Sequence, residues 1–429
     1  MTSNVAPAEG GAGRSPQAGF ARIIGATGIA GAAAYVVTWV VPRVIGGVDY
    51  KDFAVFWAAM YLVVTALSGF QQEITRATQR SDPAHSSPSY RARNFGFVAS
   101  AAVLVVVIGT APAWVEGTFP EEGWSLVFPL ATGVASYVLL GTLSGVLYGT
   151  RSWTALAVLI VADAVLRLGA VSAVALVTHD TVALAWAAAL PFLVTVLMVW
   201  PVIRKGVLAS SMLDVGYRRL SWNIARTLVA STSMGAMVSG FPLILSLSSQ
   251  NASPALLASI FLTVTLTRAP LIVSLMAIQG YLIVRFRESP ESNRRDLTRF
   301  LLAIMAGATV LSVLGWVAGP TVFGYLFPGE PILDGWFFAA LVLSSALVGV
   351  MCVAAPAALS RGRHVLYASG WLVAAIVTTV VLLVPGDLVM RTVLSLVLGP
   401  LAGAAFHILG LAASSSSGVR FSSDRSARS

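Results

Sequence analysis

Twelve long apolar stretches limit this 429-residue chain to a polytopic membrane protein. A helix needs about 20 apolar residues to cross a hydrocarbon core of about 30 Å, and each stretch meets that length. We therefore predict an all-α membrane protein of about 12 transmembrane helices. The predicted spans cover residues 20–42, 53–78, 95–115, 124–148, 153–177, 182–203, 224–249, 254–284, 297–319, 334–358, 365–385 and 389–412.

Basic residues fall almost entirely on one side of the predicted membrane. Of the 27 Lys and Arg residues, 22 lie in the termini or in the loops that follow every second span. The opposite loops contain only Arg43, Lys51 and Arg391, whereas Arg167 and Arg268 lie inside spans. The positive-inside rule then places both termini in the cytoplasm and requires an even number of spans.

The composition agrees with a protein that is almost entirely embedded in a bilayer. The chain is 57% hydrophobic and 10% charged, and its net charge of +9 suits basic loops that face anionic lipid. We expect no nucleic-acid partner. The loops are too short for a catalytic domain and contain no phosphate-binding motif, so the sequence predicts a non-enzyme without a cofactor or a metal site.

The two halves of the chain repeat each other at an offset of about 204–212 residues. The repeat predicts two six-helix lobes of the same orientation, the arrangement that transporters use for alternating access. Three ordered matches carry it: Gly109–Pro112 with Val317–Pro320, Phe119–Glu122 with Phe327–Glu330, and Tyr148–Ser152 with Leu359–Arg363.

The repeat and the charge pattern divide the chain into five segments. We predict a disordered cytoplasmic N-terminus at 1–19, lobes at 20–203 and 224–412, a cytoplasmic inter-lobe linker at 204–223, and a disordered tail at 413–429.

Arg268 is the strongest candidate for a functional residue, because it lies in the middle of predicted span 8 with no acidic residue within one helical turn. An ionisable residue inside a span is costly unless it faces a partner or a wet cavity. Thr263 and Thr267 form a polar stripe beside it, and Pro270 predicts a kink. A guanidinium suits phosphate, so we predict substrate binding; a cross-bundle ion pair is the structural alternative.

Two further places combine acidic and basic side chains. Asp163 and Arg167 are four residues apart in span 5, in the orientation that favours a pair within one helix. Their spacing indicates either a structural ion pair or a site that lines the substrate route and couples transport to a proton or an ion. Gln72, Glu73 and Arg76 end span 2 and predict either a gate with a headgroup contact or an interfacial ion pair.

Other intramembrane features predict packing. Gly141, Gly145 and Gly149 form a small-residue ridge typical of a helix-packing face. His407 is interpreted as a hydrogen-bonded core histidine, and Cys352 as a small core residue.

Four short motifs, in order, resemble the MOP exporter superfamily, which includes the MATE drug exporters, and in particular its polysaccharide-flippase (Wzx-like) branch. They lie at 47–54, 71–76, 268–271 and 319–329, and the resemblance covers about residues 20–410. It implies a monomer in the bacterial cytoplasmic membrane that moves a polyprenyl-(pyro)phosphate-linked saccharide to the outer leaflet. The implied partners are that lipid, membrane lipids and other polysaccharide-assembly membrane proteins. Arg268, with Arg167 and Arg76, would form a cationic cavity.

Three alternatives remain open from the sequence. A cation-coupled MATE-type multidrug exporter needs a buried carboxylate, for which Asp163 is the candidate. A membrane glycosyltransferase would use acids such as Asp49 and Asp52 in the first outer loop, although the chain has no outer domain. A scaffold subunit of a polysaccharide-synthesis complex would need no transport site.

Overall fold

The computed structural model describes residues 16–78, 90–268, 271, 293–360 and 363–426. Nearly all of this part of the chain is helical, and its extended pairing is a single bridge between Arg91 and Met212. The helices are α1 (Pro16–Ile45), α2 (Gly47–Thr78), α3 (Ala92–Thr110), α4 (Val115–Thr118), α5 (Trp124–Gly149), α6 (Trp153–Ala175), α7 (Thr181–Ser210), α8 (Tyr217–Val238), α9 (Phe241–Leu247), α10 (Pro254–Arg268), α11 (Asn293–Leu326), α12 (Gly335–Ser360), α13 (His364–Leu383) and α14 (Leu388–Ser426).

The predicted fold class is confirmed. Ten of the described helices are long and apolar enough to span a membrane, and α8 with α9 makes an eleventh if that bent pair is one span. Helix α10 begins where predicted span 8 begins. The remainder of that span, including Pro270 and its predicted kink, lies outside the described residues apart from Leu271.

Predicted span 7 is broken in the structure, with α8 and α9 meeting at an angle of 76°. Ser239 and Gly240 separate the two helices, and Pro242 lies in the first turn of α9. Proline has no amide hydrogen and its ring clashes with the carbonyl four residues earlier, so Pro242 weakens a helix that would continue through it. Helices α7 and α14 contain internal prolines and are continuous, so Pro242 contributes to the break but does not by itself account for it.

The same helix pairings occur in both halves of the chain. In the first half α1 packs on α6, α3 on α5, α5 on α7, and α6 on α7. In the second half α8 packs on α13, α11 on α12, α12 on α14, and α13 on α14. Span for span these are equivalent pairs, which is what an internal six-helix repeat predicts.

The glycine ridge of α5 is the packing face predicted from its spacing. A side-chain carbon at Gly145 would lie 2.8 Å from Ile74 Cγ2, and one at Gly149 would clash with Thr78. Helix α2 therefore approaches α5 at backbone distance, as small residues in membrane helices allow.

Several helices extend beyond the predicted boundaries. Helix α1 already begins at Pro16, and α14 continues to Ser426. A helix satisfies its own backbone hydrogen bonds, so it extends past the apolar core without needing tertiary partners. Within 204–223, α7 runs to Ser210 and α8 starts at Tyr217, so the non-helical connection is short.

We call the face at which α2 ends and α3 begins the basic face, and the face at which α1 ends the opposite face. On the basic face the connection between α7 and α8 is attached to α2 and α3 by backbone hydrogen bonds. The amide of Leu213 donates to the Tyr90 carbonyl at 3.0 Å, and that of Asp214 donates to the Ala77 carbonyl at 3.0 Å. These bonds anchor the connection that leads into α8 to the first half of the chain on the basic face.

Candidate functional site

The side chain of Arg268 is buried, and two of its three guanidinium nitrogens make no hydrogen bond to the described part of the chain. It is 3% exposed, and within the described part of the chain its Nε and Nη2 atoms make no hydrogen bond. A buried guanidinium without a carboxylate or carbonyl to bind is strongly destabilising. Such a group is compatible with a stable protein when an anion or a hydrated cavity compensates its charge.

The hydroxyls of α10 that precede Arg268 are engaged with their own helix. Thr263 donates to the Ser259 carbonyl at 2.7 Å, and Thr267 donates to the Thr263 carbonyl at 2.7 Å. A hydroxyl that donates in this way still has lone pairs with which to accept a hydrogen bond. Thr267, which is partly exposed, directly precedes Arg268, whereas Thr263, five residues before Arg268, is fully buried.

Arg167, by contrast, is fully occupied by protein groups. Its Nη2 lies 2.6 Å from Asp163 Oδ1 and 2.7 Å from Oδ2, and its Nη1 donates to the Ala188 carbonyl. The guanidinium also lies 3.9 Å from the ring centroid of Phe192, at a distance typical of a cation–π contact. This environment favours the structural interpretation of the Asp163–Arg167 pair.

The third predicted place lies at the basic face, at the contact between the two halves. Glu73 accepts a hydrogen bond from Arg76 Nε at 3.0 Å, and its other oxygen accepts one from Thr227 of α8 at 3.1 Å. Gln72 and Arg76 are exposed. The cluster is thus both an interfacial ion pair and a contact between α2 and α8, in a position suited to a gate.

The structure keeps these three places in separate environments. Among the described residues, no hydrogen bond or ion pair joins Arg268 to the Asp163–Arg167 pair or to the cluster around Glu73. Of the predicted cationic residues, Arg167 is buried and paired, and Arg76 is half-exposed and paired. Arg268 is buried, and within the described ranges it forms no ion pair.

Sequence reasoning missed a set of contacts that close the opposite face between the two halves. The guanidinium of Arg43, at the end of α1, lies 5.6 Å from the ring centroid of Phe327, which follows α11. A side-chain carbon at Gly117 would lie 3.7 Å from Gln250 Nε2 and 3.8 Å from Leu247. These residues are far apart in sequence, and no local pattern pairs them.

A cross-link on the opposite face is expected to stop an alternating-access cycle. In a Cys352→Ala background, Gly117→Cys combined with Gln250→Cys should form an intramolecular cross-link with a short bifunctional maleimide, because the two positions are adjacent in this conformation. Mass spectrometry of the joined peptides measures its formation, and loss of activity should follow in the same sample. Each single variant is the control. Full activity after complete cross-linking would show that this contact does not need to open.

The histidine prediction is confirmed. His407 is fully buried, and its Nε2 lies 3.2 Å from the Tyr367 carbonyl, a hydrogen bond between α14 and α13. It packs directly against Gly370, where a larger residue would clash with the imidazole ring. Cys352 is buried as well, in agreement with its predicted core position.

Comparison with known proteins finds relatives along most of the chain. The uncharacterized protein Rv1510 of Mycobacterium tuberculosis is 31% identical over 400 residues, which cover 91% of each chain. The uncharacterized protein Mb3654 of Mycobacterium bovis is 31% identical over 396 residues, again 91% of each chain. No protein-family model matches the sequence.

Solved structures identify the fold. The eukaryotic MATE transporter AtDTX14 superimposes with a TM-score of 0.64 at 14% identity, covering 92% of this chain and 95% of its own. An outward-facing multidrug resistance MATE family transporter of the MOP superfamily has a TM-score of 0.64 at 14% identity and the same coverage. An inward-facing form described in the same words has a TM-score of 0.63 at 14% identity, covering 90% and 93%. The chain therefore has the MATE fold.

Proposed function

Because the chain belongs to the same family as the mycobacterial proteins Rv1510 and Mb3654 and has the MATE fold, we propose that it is a multi-pass transporter of a lipid-linked saccharide. It moves a polyprenyl-(pyro)phosphate-linked sugar or oligosaccharide from the inner to the outer leaflet of a bacterial cytoplasmic membrane by alternating access. It works as a monomer beside other polysaccharide-assembly membrane proteins, and the basic face is cytoplasmic.

The observation that carries this proposal is the buried guanidinium of Arg268, whose Nε and Nη2 have no hydrogen-bond partner among the described residues. A phosphate or pyrophosphate supplies the missing hydrogen-bond acceptors, and a guanidinium binds it through two parallel bonds. Thr263 and Thr267 accept hydrogen bonds from sugar hydroxyls. Arg76 and Gln72, exposed at the basic face, meet the headgroup as it enters.

The physical task fits the architecture. A charged phosphate and a hydrated sugar face a large desolvation barrier in hydrocarbon, whereas the polyprenyl tail is already soluble there. A polar route between two lobes lowers that barrier for the headgroup, and the tail remains in the lipid. The two halves contact each other at Arg43 and Gly117 on the opposite face and at Glu73 and Thr227 on the basic face, so an alternating-access cycle must open each of these contacts in turn.

A cation-coupled multidrug exporter is the alternative with the same fold. That function requires a buried carboxylate that is free to bind a proton, a metal ion or a cationic drug. Asp163 contacts Arg167 through both of its oxygens, so a tethered guanidinium already occupies the place of a cation. The charge of the buried sites therefore favours an anionic substrate.

Depletion of the protein in its native host tests the function. We expect one lipid-linked saccharide to accumulate on the cytoplasmic leaflet, where a membrane-impermeant probe added outside cannot reach it. Re-expression of the wild-type chain should restore its accessibility, and an unrelated membrane protein expressed at the same level is the control. Unchanged lipid-linked pools together with greater sensitivity to cationic drugs would contradict the proposal and support a drug exporter.

A further inference from the structure

A groove of about 930 Å³ opens on the basic face, where α3 and α8 begin. Its walls include the rings of Tyr90, Tyr217 and Trp222, and Arg218 and Arg219 line it as well. None of these residues takes part in the substrate site described above. The groove combines aromatic surface with two adjacent positive charges.

The aromatic wall is held in place by the surrounding backbone. The rings of Tyr90 and Tyr217 meet edge to face with centroids 5.0 Å apart, and Phe95 lies 5.6 Å from Tyr217. The Tyr217 hydroxyl accepts from the Arg91 amide at 3.1 Å and donates to the Arg91 carbonyl at 3.2 Å. The groove is therefore preformed and does not depend on a ligand for its shape.

Its charges are available to an anion. Arg218 and Arg219 are exposed, and neither forms an ion pair within the part of the chain that the structure describes. They lie in the first turn of α8, and Gly216, the N-cap residue that precedes the helix, provides no side-chain hydrogen bond to that turn. Amide hydrogens of the first turn are thus free, and the positive end of the helix dipole adds to the charge of the guanidinium groups.

An apolar strip continues from the arginines along α8. One face of α8 begins at Arg218 and continues, at helical spacing, through Trp222, Ala225 and Val229. The side chains of Trp222 and Val229 are 65% and 52% exposed. This face points away from Thr227, which contacts α2. The first turn of α3 contacts Tyr217 through Phe95, and Phe97 and Val98 of the same helix are exposed apolar residues.

This arrangement matches an amphiphile with an anionic head. In a bilayer the strip on α8 is covered by acyl chains, so the phosphate nearest to the two arginines is that of the lipid whose chains lie on the strip. Trp and Arg at the end of a membrane-spanning helix lie at the level of the headgroups. We propose that the groove binds the headgroup phosphate of an anionic diacyl phospholipid, whose acyl chains lie along Trp222, Val229 and α3. The site is separate from transport and does not depend on the identity of the transported substrate.

Lipid titration of the full chain in detergent tests the proposal. Phosphatidylglycerol is expected to bind the wild type more tightly than phosphatidylcholine, as measured by native mass spectrometry. Arg218→Gln with Arg219→Gln should weaken phosphatidylglycerol about 30-fold, since each basic residue near an anionic surface contributes roughly a factor of five. Arg218→Lys with Arg219→Lys keeps the charge and should retain most of the affinity.

The matched control is Arg226→Gln with Arg299→Gln, which removes two exposed arginines outside the groove. This control should leave the affinity for phosphatidylglycerol within about threefold. An equal loss of affinity for phosphatidylglycerol in both double variants would mean that lipid binding depends only on the total charge of the protein, and the proposal would be wrong. It would also be overturned if a polyprenyl phosphate displaced phosphatidylglycerol at equal concentration, because the groove would then be an entry point for substrate.

Discussion

Arg268→Met is expected to abolish transport and to leave the protein as stable as the wild type or more stable. Methionine keeps much of the side-chain volume and removes a buried charge that has no protein partner at Nε and Nη2. Replacing a buried charge by a well-packed apolar residue is often neutral or stabilising, by about 1–4 kcal/mol for buried ion pairs. Thermal unfolding in detergent measures the stability, and the leaflet distribution of the lipid-linked saccharide measures the transport.

Arg268→Lys distinguishes binding geometry from charge alone. Lysine keeps the positive charge but cannot form two parallel bonds to a phosphate, so we expect partial activity. Arg299→Met is the matched control, because Arg299 is an exposed arginine and its loss should change neither stability nor transport. Normal transport by Arg268→Met, or a large loss of stability in that variant, would show that the guanidinium is structural.

Asp163→Ala is expected to cause the largest loss of stability of any single change considered for this protein. The variant leaves Arg167, whose side chain is 4% exposed, without its carboxylate partner. Breaking a buried pair in this way costs about 3–5 kcal/mol. The melting temperature of the purified protein should fall accordingly, and expression should decrease with it.

A double variant separates a structural pair from a coupling site. Asp163→Leu with Arg167→Met removes both charges, so most of the stability lost in Asp163→Ala should return. If the pair is structural, transport by the double variant should also return. A stable double variant that does not transport would contradict the structural interpretation and show that Asp163 or Arg167 takes part in coupling.

The helices and the local pairs were predictable because they depend on neighbours in sequence. Span lengths follow from the thickness of a bilayer, and ten of the described helices match predicted spans. Asp163 with Arg167, and Glu73 with Arg76, are one helical turn apart, and both pairs form as predicted. The glycine ridge of α5 was likewise readable from its four-residue spacing.

The contacts between distant segments were not predictable in the same way. The carboxylate of Glu73 binds both Arg76 and Thr227, and Thr227 lies 154 positions after Glu73. Nothing in the sequence near Glu73 or Thr227 indicates that these two residues are in contact. The contact between Arg43 and Phe327 also joins residues that are far apart in sequence. The break in span 7 was only partly readable, since Pro242 was visible in the sequence but intramembrane prolines are often accommodated by neighbouring helices.

The sequence alone therefore determined the class of protein, the approximate number and extent of its spans, and the repeat. Each of these depends on composition and spacing over a few turns of helix. Only the tertiary structure decided which buried arginine has partners. Arg167 is neutralised by groups on two helices, whereas Arg268 is buried with unpaired atoms. Whether a charge is compensated depends on what the fold brings around it, and local sequence does not encode that.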